Sequence, residues 1–254
     1  MWMTEDLQGF YGTGERNEAG QSLEEFLEAY DPKRYDCPAN TTDIVVVRSE
    51  GPLIRKEQPL QVLMVKRRNH PSIGWWATPG GFVELREDLD AGAARELEEE
   101  TGVKGLPLVQ LRTWGDFRRD PRWRVITTSY LGLVEGDVPV QAGDDAAEAL
   151  WMDASLEREC DEVESDEGEH DERECGEEKS GRQASSEKGS CGIWRLTLRN
   201  PEAGISLMAR VAIRRGSHPV VSEEEYQLVE SRGIAVDHGC IIAQALRYLY
   251  CRLS

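Results

Sequence analysis

Two rhythms of apolar residues alternate along this chain. Asp43–Arg48 sets Ile44, Val45, Val46 and Val47 side by side and predicts a buried strand, and Val62–Lys66 predicts the next. Gln58-Pro59 and the charges before it suit the exposed connection between them. Leu106–Thr113 and Val125–Val134 predict two more strands, the second rich in β-branched residues and carrying Tyr130. Leu150–Met152 predicts a short fifth. Trp194–Arg199 and Ile205–Arg214 predict a hairpin turning at Asn200-Pro201-Glu202-Ala203-Gly204. The helical rhythm starts at Ser22–Glu25, a capping box that opens a short helix through Phe26, Leu27 and Tyr30, closed by Asp31-Pro32. Ser222–Glu225 repeats that box and predicts another helix start. Asp237 can cap a last helix, whose Ile241, Ile242, Ala245, Leu246, Leu249 and Leu253 form a core-facing stripe.

Both rhythms lapse between 153 and 191, where 15 Asp/Glu stand against 5 Lys/Arg. Such a segment buries too little apolar area to offset its ordering entropy, so disorder is expected there. The chain then divides into a lead-in with its helix (1–42), a core (43–152), this acidic insertion (153–191), and a hairpin with closing helices (192–254). The insertion supplies more than half of a net charge of −18, at a pI near 4.7. That balance argues against a nucleic-acid backbone as partner, but not against a nucleotide, since a cation can bridge acid to phosphate. No apolar run reaches the roughly 20 residues of a membrane span. The N-terminus lacks a signal-peptide pattern, so a cytoplasmic location is expected. The cysteines at 37, 160, 175, 191, 240 and 251 contain no Cys-x2-Cys pair and read as free thiols. Cys160, His170, Cys175 and Cys191 match no common zinc spacing.

The candidate chemistry lies between residues 79 and 103. Pro79-Gly80-Gly81 breaks the chain, Asp88 or Asp90 can start a helix, and Gly102 stands where a helix-ending glycine is expected. On a wheel advancing about 100° per residue, Glu99 lies roughly 300° and Glu100 roughly 40° from Glu96, so three carboxylates share one face. Glu98 falls on the far side, and Leu97 and Ala94 fall where contact with a core is expected. Carboxylates so grouped repel one another and suit a hard divalent cation, which keeps waters and bridges to phosphate.

Gly81, Glu87, Arg95, Glu96, Leu97, Glu99, Glu100, Gly102 and Val103 together match the signature of the Nudix hydrolases, which this chain strongly resembles. The resemblance implies an α/β/α sandwich with a mixed sheet, and hydrolysis of a nucleoside diphosphate linked to another group. It implies magnesium, with manganese as the alternative, held by these glutamates and by the carbonyl of Gly81. Glu99 and Glu100 are then the principal ligands, and Glu96 a ligand or the base that orients water. Glu87 and Arg95 are expected to pair and fix the loop against the helix. A further carboxylate is expected from Asp144, Asp145 or Glu148, with Glu148 preferred.

Flanking segments narrow the resemblance to ADP-ribose pyrophosphatases. They are Tyr35–Ile44, Lys66–Pro71, Gly74–Phe82, Gly115–Arg122 and Val236–Ile242. Trp75 and Thr78 depart from that subgroup, where a smaller or basic residue and a leucine are usual. Arg119 and Arg122 are candidates for phosphate or ribose oxygens, with Asp120 holding one of them. Trp76 and Phe82 are candidates to stack on adenine. The reading is an enzyme that cleaves ADP-ribose to AMP and ribose 5-phosphate. The alternatives are another nucleotide substrate (a sugar nucleotide, a dinucleotide or a damaged triphosphate), a ligand-sensing regulator, and a scaffold whose acidic segment recruits a basic partner. Relatives are often dimers, so a homodimer is a further expectation.

Overall fold

The computed structural model describes residues 7–143, 146–160, 191–216 and 223–253. A 3-10 turn at Gln8–Phe10 and helix α1, Leu23–Ala29, precede the sheet. At the start of α1 the Ser22 hydroxyl accepts from the Glu25 N–H, and the Glu25 carboxylate accepts from the Ser22 N–H. Ten strands follow: β1 (Ala39–Ser49), β2 (Leu60–Arg67), β3 (Trp76–Ala77), β4 (Gly80–Phe82), β5 (Leu108–Trp114), β6 (Val125–Glu135), β7 (Ala146–Cys160), β8 (Cys191–Asn200), β9 (Ile205–Arg215) and β10 (Glu224–Arg232). They form one mixed sheet in the order β10-β9-β8-β7-β2-β1-β6-β5, with β3 beside β2 and β4 beside β1. Among these described strands only β1 and β6 pair in parallel.

β1 explains why the sheet is covered on both sides. Its side chains alternate between faces. Ile44 and Val46 pack with Ala93 and Leu97 of α2 (Leu89–Thr101), while Val45 and Val47 join the cluster containing Ile241 and Leu246 of α3 (His238–Tyr250). That is the helix–sheet–helix layering the family resemblance implies.

α3 exceeds its predicted stripe, because nine of its 13 residues are buried, on every side of the helix. The sheet curls around it until the two edges touch. Arg112 of β5 donates to the Glu224 carbonyl of β10 at 2.6 Å, and Trp114 meets the Tyr226 ring edge-on at 6.0 Å.

Several local expectations are corrected. Residues 153–160 are strand, not part of a disordered insertion: β7 pairs with both β2 and β8, and Leu156 is buried opposite Leu196 of β8. Residues 161–190, where the rest of that expectation falls, lie outside the described residues. The box at Ser222–Glu225 opens no helix. Glu224–Arg232 is a strand whose Tyr226 and Leu228 turn inward every second residue, and Ser222 itself is not among the described residues. One closing helix is present among the described residues rather than several. Ala94 faces solvent, and Ala93 takes the core position instead. Cys37, Cys191, Cys240 and Cys251 are free thiols, while His170 and Cys175 lie outside the described residues. No helix among the described residues is long and apolar enough to cross a membrane.

Candidate functional site

A cavity of about 370 Å³ opens where β1 and β2 splay apart. The two strands pair only at Val47–Val62 and Arg48–Gln61. Beyond that, β4 lies along Thr41–Asp43 and β3 along Val65–Lys66, so Trp76–Phe82 wedges the strands open. Glycine is required at the wedge. Gly80 has φ +153, and a Cβ there would lie 2.0 Å from the Thr42 carbonyl oxygen. A Cβ on Gly81 would lie 2.5 Å from Glu96 Oε2, so the bare backbone is what lets that carboxylate approach.

α2 brings its acids to this wedge. Gly102, left-handed at φ +75, ends the helix with its N–H on the Glu98 carbonyl. Asp88 stands at the N-cap without a side-chain cap bond, and Asp90 instead accepts from the Tyr130 hydroxyl at 2.6 Å. Glu96 and Glu100 line the cavity, and Glu100 Oε2 accepts from the Gly80 N–H at 2.9 Å. Burial pushes the Glu100 carboxyl up to about 7, against the pull of that hydrogen bond, and raises Glu96 in the same direction. Both sites therefore favour an added positive charge.

Arg95 supplies part of that charge. Its guanidinium binds Glu87 through Nε and Nη2, both at 2.8 Å, and Glu96 and Glu99 through Nη1 at 2.8 and 3.0 Å. It also reaches the Phe82 carbonyl at 3.1 Å, which ties helix to loop. The Arg95 bonds hold the Glu87 carboxyl down at about 2. Glu99 lies outside the cavity lining with its side chain 58% exposed, although it shares Arg95 Nη1 with Glu96. Among the described residues no three carboxylate, imidazole or thiol groups gather closely enough to hold a metal by themselves. A magnesium-like ion fits the donor set nonetheless, since it retains waters and takes phosphate oxygens alongside one or two carboxylates.

The facing wall is cationic, with Lys66, Arg67, Arg68, Arg119 and Arg122 among the lining residues. Two of these arginines are clamped alike. Arg119 gives Nε and Nη2 to Asp237 at 2.9 and 2.8 Å, and Arg122 gives Nε and Nη2 to Asp120 at 3.0 and 2.7 Å. Among the described residues nothing else is bound by either Nη1 edge, which leaves both open to another partner. Burial opposes ionisation of Asp120, but the Arg122 bonds outweigh it and lower its pKa. Arg67 donates to the Pro71 carbonyl at 2.8 Å, and its own pKa is lowered by burial and by Arg122.

The predicted residues thus divide. Gly81, Glu96, Glu100, Arg119, Arg122 and Phe82 share the cavity. Phe82 is half exposed, with the Arg122 guanidinium 5.3 Å from its ring centre. Trp76 is 3% exposed and belongs to the core, so its ring is not open to a base. Trp75 is exposed and outside the lining. Glu148 also lies outside it, paired with Lys66 at 2.7 Å, and Asp144 and Asp145 are not among the described residues. Sequence reasoning missed Asp43, Arg67 and His238 as lining residues, and Asp237 as the clamp on Arg119. For Asp43 a signal was available: a carboxylate opening a run of buried valines asks for a partner.

The family description NUDIX domain matches residues 40–170. The ADP-ribose pyrophosphatase of Methanocaldococcus jannaschii is 40% identical over 100 residues, which cover 38% of this chain and 57% of that protein. The ADPR responsive transcriptional repressor NtrR of Acinetobacter baylyi is 36% identical over 115 residues, 44% of each chain. The chain therefore spans about half the length of these curated relatives. Among solved structures, a MutT/nudix family protein from Enterococcus faecalis superposes with a TM-score of 0.58 at 26% identity, over 98% of this chain and 75% of that one.

Proposed function

The chain belongs to the Nudix family, and on that basis we propose that it is a magnesium-dependent pyrophosphohydrolase cleaving ADP-ribose to AMP and ribose 5-phosphate. One observation carries the reading: a single cavity sets the Glu96 and Glu100 carboxylates of α2 against a wall containing Arg67, Arg119 and Arg122. A pyrophosphate needs both signs at once, with cation-loaded acids on one side and guanidinium donors on the other.

Glu96, Glu100 and the Gly81 carbonyl would hold the metal, with Glu99 joining if Arg95 releases it. Bound there, the ion would polarise the pyrophosphate and lower the pKa of its water. Glu96 would orient that water. The Nη1 edges of Arg119 and Arg122 would hold phosphoryl and ribose oxygens, and Phe82 would offer a face for the adenine. Arg95, bound to Glu87 and the Phe82 carbonyl, would keep α2 in register with the wedge.

The test is incubation of purified protein with ADP-ribose and magnesium, with AMP measured by chromatography. AMP that disappears with chelator and in Glu100→Gln supports the assignment. No AMP from folded, magnesium-binding protein overturns it. A second reading, ligand sensing without turnover, is favoured by the likeness to a protein named an ADPR responsive repressor. It predicts saturable ADP-ribose binding with no AMP formed.

A further inference from the structure

The first turn of α3 carries two polar side chains that core packing does not need. His238 is 6% exposed yet lines the cavity. Its Nδ1 accepts from the Thr78 N–H at 3.2 Å and lies 2.8 Å from the Thr78 hydroxyl. A ring nitrogen that accepts a backbone N–H carries no proton, so in the neutral imidazole the proton sits on Nε2. Among the described residues no acceptor meets Nε2, and that atom is not sealed in the core, so its proton is open to the cavity. Thr78 is one of the two positions that depart from the resemblance, and here its hydroxyl helps fix the ring.

Asp237, the preceding residue, stands at the N-cap of α3 but makes no side-chain cap bond. Its carboxylate is committed to Arg119, whose side chain is 6% exposed, and a bidentate pair at that depth sets where the free Nη1 edge points. Asp43 completes the cluster. It accepts from the Thr127 hydroxyl at 2.7 Å and lies 3.7 Å from both Arg119 Nη2 and His238 Nδ1.

We propose that the start of α3 is a working wall of the cavity, in which His238, held by Thr78, donates from Nε2 to a ligand oxygen while Asp237 positions Arg119 for the same ligand. The ligand portion it fits is the hydroxyl- and phosphoryl-bearing part of a nucleoside diphosphate derivative. The inference rests on the function proposed above and adds a ligand contact and a positioning residue to it. His238 offers a donor at its end of the cavity, so the wall favours ligands that present an oxygen there.

Two substitutions at one position separate ligand contact from folding. His238→Asn keeps an acceptor near the Nδ1 position for Thr78 but removes the deeper donor, whereas His238→Gln restores a donor near Nε2. The measurement is calorimetric binding of ADP-ribose to the full chain without metal, with thermal melts of each variant alongside. His238→Asn should weaken binding about five- to tenfold, the size of one hydrogen bond, and His238→Gln should recover most of it. Asp237→Asn should weaken binding too, and Arg119→Lys in that background should add little because the two act through one contact. If His238→Asn fails to fold, Thr78→Val, which frees the ring, should still weaken binding. Wild-type protein that binds ADP-ribose with every folded variant equal to it overturns the inference alone. Wild-type protein that binds no ADP-ribose without metal also overturns the inference, whereas only the absence of AMP with magnesium overturns the function proposed above.

Discussion

Replacing Glu100 by glutamine should stabilise the metal-free protein at alkaline pH and leave it almost unchanged at acid pH. The Glu100 carboxyl titrates near 7 in the folded chain, because burial opposes its charge. In the unfolded chain it titrates near the ordinary value of about 4.3. Between those values the folded protein keeps a proton that the unfolded chain has released, so stability falls as pH rises through the window. The favourable state is complete below about pH 4 and gone above about pH 7. A shift of that size corresponds to roughly 3 to 4 kcal/mol at 1.36 kcal/mol per unit. Glutamine imitates the protonated acid and can still accept from the Gly80 N–H. Urea denaturation in chelator at pH 5 and pH 8 would read the difference between wild type and variant. The variant should gain roughly 3 kcal/mol at pH 8 and about 1 kcal/mol at pH 5. Glu96, raised for the same reason, titrates in both proteins and largely cancels. With magnesium the order should reverse, because wild type gains more stability from the ion than a variant that keeps only Glu96 and the Gly81 carbonyl. A difference that is the same at both pH values would refute the claim that burial strains this carboxylate.

Other substitutions follow from the same geometry. Gly81→Ala places a Cβ 2.5 Å from Glu96 Oε2, the movable end of a side chain. It should cost about a hundredfold or more in AMP formation while the melting temperature moves only a few degrees. Gly239→Ala meets Ala209 Cβ at 2.6 Å, which cannot swing aside, and urea curves should show a loss of about 1–3 kcal/mol. Leu246→Ala, at a fully buried position of α3, should cost about 2–5 kcal/mol by the same measurement. Arg95→Lys loses the two-pronged hold on Glu87, so it should depress turnover more than ADP-ribose binding, seen as a fall in kcat at little changed Kd.

Periodicity located the strands well where burial and alternation agree. β1, β6, β8 and β9 announce themselves by apolar runs, and α2 by its glycine stop. It failed where composition hides a period of two. Residues 153–160 read as acidic, yet Ala154 and Leu156 turn inward while Glu157 and Glu159 stand beside the arginines of β8 and β9. Glu224–Arg232 failed in the opposite way. A serine followed three residues later by glutamate imitates a helix start, but Tyr226 and Leu228 find their partners across a ladder with β9. Pairing with the preceding strand outweighs a local cap worth about 1 kcal/mol.

The site divided along the same line. The order of acids on α2 is local, so Glu96 and Glu100 could be read directly from their spacing, and the tie from Arg95 to Glu87 spans only eight residues. Glu99 shows the limit of that reading. A helical wheel places it with the other two, and Arg95 Nη1 does hold it beside Glu96. Its side chain is nonetheless largely exposed and lies outside the cavity lining, which a wheel does not show. The cavity's other wall is assembled across more than a hundred residues. Arg119 meets Asp237, and Thr78 meets His238, only because the sheet curls around α3 and brings its first turn to the splay between β1 and β2. In the sequence Asp237 looks like a cap and His238 like the first residue of an apolar helix. The fold spends neither on capping. The Asp237 carboxylate turns to an arginine and the His238 ring to a threonine, so the helix that fills the core also furnishes part of the cavity. A substitution that shifts α3 within its curl should therefore change ligand affinity as well as stability. Gly239→Ala is the sharpest case, since its clash lies one residue past His238 and its backbone has no slack. If calorimetry found ADP-ribose affinity unchanged in a folded Gly239→Ala protein that had lost stability, packing and ligand contact at the start of α3 would be independent of each other.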